Sequence, residues 1–106
     1  MNNNANLPNT EKTEVINTLN EIGNLSRSKI KSIYKEAKKK IFVIKNIEKK
    51  YIAIAKKTRQ LTDIPIIKDN AIIKIKEIED IALKQINEIE ILTKNELRNF
   101  SNALIV

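Results

Sequence analysis

Apolar residues recur along this chain in steps of four, four and three, and they do so in two separate stretches. The first runs Ile22, Ser26, Ile30, Ile33, Ala37, Ile41, Ile44, Glu48, Ile52, Ala55. The second runs Ile67, Ala71, Ile75, Ile78, Ala82, Ile86, Ile89, Thr93, Leu97, Phe100. Each covers 34 residues as three units of eleven, mostly in the order large, small, large. Eleven residues over three turns is about 3.67 per turn, so each stretch lays a straight apolar stripe along one α-helix. The pattern predicts an all-α fold, an antiparallel two-helix hairpin with coiled-coil-like hendecad packing, suited to building a larger helical bundle or filament.

Local signals place the boundaries. Residues 1–9 are polar and Asn-rich, with Pro8 near their end, and read as a flexible tail. Residues 10–106 read as one helical-hairpin domain. Thr10 fits an N-cap, with Glu11 and Glu14 in the first turn where the helix dipole favours anions. The first helix is predicted over about 11–61, and Val15 and Leu19 carry its stripe upstream of Ile22. Thr62-Asp63-Ile64-Pro65 interrupts the pattern, giving a turn at about 62–65. Asp63 can cap the second helix, and Pro65 fits its first turn, where no N–H is needed. That helix is predicted over about 64–103.

Two readings are open at Gly23. It can end a short first helix as a C′ residue, or sit inside one long helix at a cost of about 1 kcal/mol, making room for Phe100. The stripe keeps its phase across Gly23, which favours the continuous helix. Glu48 breaks the first stripe, and Ile47 beside it is expected to turn inward instead. Folding the stripes about Leu61 pairs Ala55 with Ile67, Ile44 with Ile78, Ile33 with Ile89 and Ile22 with Phe100. It also sets Tyr51 against Ala71, Leu19 against Ala103 and Ile16 against Val106.

Composition narrows the chemistry. The 106 residues include no Cys, no His, no Trp and one Gly, so thiolate chemistry is absent and the usual neutral-pH acid/base and metal ligand are missing. The longest apolar runs, Ile41–Ile44, Tyr51–Ala55 and Ala103–Val106, fall far short of the roughly 20 residues a bilayer span needs. No secretory signal opens the chain either, which favours an intracellular or particle-associated protein. Ser26-Arg27-Ser28-Lys29 has the S-x-x-K form of penicillin-interacting enzymes, but their S-D-N and K-T-G partners are absent. The pairs Glu77/Glu79 and Glu88/Glu90 are two residues apart on a helix and diverge, so neither pair can share a cation. No catalytic, cofactor-binding or metal-ligating residue is predicted, no small-molecule substrate is implied, and an enzyme is not expected.

Charge is distributed unevenly. Residues 27–59 hold thirteen Lys or Arg against Glu36 and Glu48, whereas residues 61–106 hold six against eight acids. On a helical wheel Arg27, Lys31, Lys35, Lys38, Lys39, Lys45, Lys49, Lys50, Lys56 and Lys57 gather away from the first stripe, as a ridge about 45 Å long. Such a ridge is a candidate contact for an anionic partner, either a nucleic-acid backbone or an acidic protein surface. The plain alternative is a solvated face written in lysine. With few arginines and amides it is unsuited to base readout, so any nucleic-acid binding would be salt-dependent and without sequence preference.

Apolar residues outside the stripes point to neighbours. Phe42 interrupts the ridge, as does Ala53, and Ile66, Ile73 and Ile91 align on the back of the second helix. These are candidate self-association residues, because a lone hairpin buries only one side of each helix. The sequence therefore predicts a non-enzymatic, self-assembling structural subunit, a homo-oligomer such as a filament, coat, virion or bundle component. A sequence-nonspecific nucleic-acid binder and a small adaptor or inhibitor of an acidic protein are the alternatives.

Overall fold

The computed structural model describes residues 9–105, with side chains from 11 to 104. The predicted polar tail, apart from Asn9, lies outside the described residues, as do the Thr10 side chain and Val106. The fold is all-α: α1 spans Asn9–Lys57 and α2 spans Asp63–Ile105, with no strand among the described residues. The two form a helical hairpin. The described residues divide into two compact units, residues 32–85 and a second unit of residues 9–31 with 86–105.

All twenty stripe positions are buried or half-buried. From Ile22 to Lys57 and from Asp63 to Phe100, the only other covered residues are Gly23 and Ile64. The reason is geometric. Residues spaced four, four and three apart return to one side of a helix, and burying isoleucine there removes apolar surface from water at about 25 cal/mol per Å². The deepest positions are Ile22, Ala55, Ala71, Ala82 and Ile86.

Glu48 keeps its place in the stripe, half-buried, and Ile47 stays 45% exposed, contrary to the sequence expectation. Each helical residue turns about 100° from the last, so bringing Ile47 inward would rotate Ile44 and Ile52 out. One acidic position costs less than two misplaced isoleucines, because the Glu48 methylenes can cover the stripe while the carboxylate reaches water.

Helix α1 runs through Gly23 without a break, and the glycine has an ordinary helical φ. A Cβ added there would meet the Arg27 guanidinium at 3.5 Å. The space beside Gly23 is thus filled by an arginine of its own helix, and the expected accommodation of Phe100 is not what the glycine provides.

In the unit of residues 32–85, α1 ends at Lys57, earlier than the sequence suggests. Arg59 adopts a left-handed backbone with φ 58°. The Gln60 amide donates to the Ala55 carbonyl at 2.8 Å and the Arg59 amide to the Lys56 carbonyl at 3.3 Å. This pair of bonds is a Schellman cap with arginine where glycine is usual. The Thr58 hydroxyl adds a bond to the Ile54 carbonyl at 2.9 Å. The Asp63 amide then donates to the Gln60 carbonyl at 3.0 Å, and α2 begins at Asp63 with its carboxylate in the first turn. The turn centres on Gln60 instead of Leu61. A cleft in this unit has Ala37 from α1 and Ala82 from α2 among its lining residues.

In the other unit, the Ser26 and Thr93 hydroxyls lie 2.9 Å apart. Folding about Leu61 would have set Ser26 against Glu96, so the pairing is slipped by three residues from the sequence expectation. The same slip shows at the chain end, where Val15, Thr18, Phe100 and Leu104 line one cleft. Ala103, expected to face Leu19, is exposed, while Val106, expected to face Ile16, lies outside the described residues. The early Schellman cap shortens the α1 side of the turn, which is the physical source of the slip.

Candidate interaction surfaces

All ten residues of the basic ridge are exposed. Lys35, Lys38, Lys39, Lys45, Lys49, Lys50, Lys56 and Lys57 belong to the unit of residues 32–85, and Arg27 and Lys31 to the other. The eight lysines share the outer side of α1 because none occupies a stripe position. Phe42 stands among them, 65% exposed. A shallow depression beside them is lined by Lys50, Ala53, Ile54, Lys56 and Lys57.

Two of these cations have a structural role available. Lys56 and Lys57 occupy the last turn of α1, where positive charge offsets the partial negative charge of the helix end. Arg27 is engaged locally: its Nη2 donates to the Asn24 side-chain oxygen one turn earlier. Its head group accordingly leans back over Gly23. The remaining lysines present mobile point charges suited to an anionic partner without fixed geometry.

The self-association candidates Phe42, Ile66, Ile73 and Ile91 are all exposed. Sequence reasoning missed a further row. Val43, Ile47, Tyr51 and Ile54 are between 45% and 54% exposed, and each stands one residue ahead of a stripe position. The signal was present in the sequence as a second copy of the four, four, three spacing, displaced by one.

Ser26 is half-buried against Thr93, while Lys29 is exposed. Glu77, Glu79, Glu88 and Glu90 are exposed, and no group of three or more acidic or other ligating residues able to hold a metal occurs among the described residues. No described helix is long and apolar enough to cross a membrane. Scans of protein-family models, of curated proteins and of solved structures return no match to this chain.

Proposed function

We propose that this chain is a non-enzymatic assembly subunit, associating with copies of itself through its long amphipathic helices in a filament, coat or bundle. The observation that carries this reading is surface. Among the described residues seventeen large apolar side chains are exposed, more apolar surface than one pair of helices can cover by itself. Only five described residues are buried, and no described side chain falls below 2% exposure.

The finer reading of the stripes supports the same conclusion. Hendecad packing at about 3.67 residues per turn lies close to the helix's own 3.6, so the helices wind about one another only gently, in the right-handed sense, and further helices can be laid alongside over a long span. Sedimentation from micromolar to millimolar concentration tests the proposal: the mass should rise above that of one chain. A chain that stays monomeric throughout ends it.

A nucleic-acid-binding reading draws on one observation, the exposure of eight lysines along α1 in one unit. Reversing Lys38, Lys45, Lys49 and Lys56 to glutamate separates the two. Retained assembly with lost, salt-sensitive nucleic-acid binding would favour that second reading, because counterion release from phosphates is what such a ridge supplies.

A further inference from the structure

Within the unit of residues 32–85, the two flanks of α1 beside its covered stripe differ in kind. One carries Lys38, Lys45, Lys49 and Lys56; the other carries Val43, Ile47, Tyr51 and Ile54. The apolar flank meets α2 at two clefts. The smaller, about 180 Å³, has Ile47 and Tyr51 on one wall, Asn70 and Lys74 on the other, and buried Ala71 between them. The larger, about 420 Å³, sets Glu36 and Lys40 across from Ile81 and Gln85, with Ala37 and Ala82 between. Glu36 and Lys40 stand one residue ahead of stripe positions, as Ile47 and Tyr51 do, so both clefts open on the same flank.

We propose that this flank is the contact surface for a second copy of the chain, packed so that each copy's apolar row enters the other's alanine-floored clefts. The inference rests on the self-assembly reading and adds its location. Three observations favour a copy of this chain as the occupant. Charge is the first: Glu36 and Glu77 on the flank balance Lys40 and Lys74, so the surface can face itself without like-charge repulsion. The opposite flank is lysine-rich and would repel a copy. Shape is the second, because large side chains one residue ahead of the stripe alternate with alanine-floored gaps, the arrangement that ridges-into-grooves packing uses. Area is the third. Val43, Ile47, Tyr51, Ile54 and Ile81 together expose on the order of 500 Å², more than half of one partner's share of a standard interface, about 800 Å². A lipid surface fits less well, since the cations that would hold anionic headgroups lie on the other flank.

The test uses the full chain. Ile47→Glu combined with Ile54→Glu should keep wild-type helicity by circular dichroism and weaken self-association at least tenfold by sedimentation. Ile72→Glu and Leu83→Glu, on the opposite flank of the same unit and likewise exposed, should leave it within about threefold of wild type, as surface changes outside an interface do. Because the row variant could perturb folding, a photoreactive benzoylphenylalanine replacing Tyr51 provides a second measurement: it should cross-link to another copy, and the same group replacing Leu83 should not. A row variant that assembles like the wild type, or cross-linking from position 83 but not 51, overturns this surface and leaves self-assembly standing. A wild-type chain that is monomeric at millimolar concentration overturns both.

Discussion

The hydroxyls of Ser26 and Thr93 lie 2.9 Å apart, joining α1 to α2 across 67 residues of chain. Thr93 Oγ1 is also 2.7 Å from the Ile89 carbonyl. One hydroxyl has one proton. Both contacts are satisfied when Thr93 donates to Ile89 and Ser26 donates to Thr93. A polar pair within an apolar stripe favours one alignment of the helices, since any slide separates the two groups and leaves each facing isoleucine.

Replacing Ser26→Ala and Thr93→Val singly should each lower stability by about 0.5–1.5 kcal/mol, the usual worth of such a bond. The double replacement should cost less than the sum, because no unpaired hydroxyl remains. Urea unfolding at fixed protein concentration measures the coupling. Strictly additive single effects would show that the contact fixes nothing.

Gly23→Ala should stabilise the chain. The helical φ suits alanine, the new methyl meets only the Arg27 side chain at ordinary distance, and glycine costs a helix interior about 0.5–1 kcal/mol. A rise of about 4 °C in melting temperature is the expected result; a fall would mean the arginine cannot move aside.

Arg59→Gly should also stabilise, by about 0.5–1 kcal/mol, since glycine enters the left-handed region without the clash a Cβ brings. The β-branched Arg59→Val should do the reverse. Thermal melts of the two variants should therefore move in opposite directions from the wild type, and movement in the same direction would mean that the backbone at this position is not under strain.

At Glu48 the stripe keeps a carboxylate where its neighbours Ile44 and Ile52 are covered. Glu48→Leu should raise stability by roughly 1 kcal/mol, through added apolar burial against the cleft that Ala71 floors. The urea midpoint should increase with the slope unchanged. A lower midpoint would show that the glutamate is held there by a partner.

The stripes were legible in the sequence because twenty positions repeat one spacing, and a helix has only one way to gather such a set. Their alignment was not. Two stripes of equal period can slide by three or four residues and still set stripe against stripe, so the pattern by itself leaves several registers open. What decides is the turn, where the cap at Arg59 carries no glycine to announce it, and the pair Ser26–Thr93, which reads in sequence as two small residues. Ile47 misled for a related reason: hydrophobicity argued for burial, but the phase set by Ile44 and Ile52 decided the matter. The basic ridge was legible as a charge run. The apolar row from Val43 to Ile54 was hidden because single exposed apolar residues are ordinary, and only the structure shows that these border alanine-floored clefts.

Pro65 is the third residue of α2, where its missing N–H forfeits no helical bond. Were the turn to straighten and the two helices run on as one rod, the proline ring would press on the Leu61 carbonyl, at a cost of about 3 kcal/mol. Exchange of helices between chains through such a rod is what that cost opposes. Pro65→Ala, refolded at high concentration and then diluted, should retain dimers that separate only slowly, because their helices are exchanged, whereas association of the wild type should reverse on dilution. The tip of the hairpin thus guards against the trading of helices between molecules.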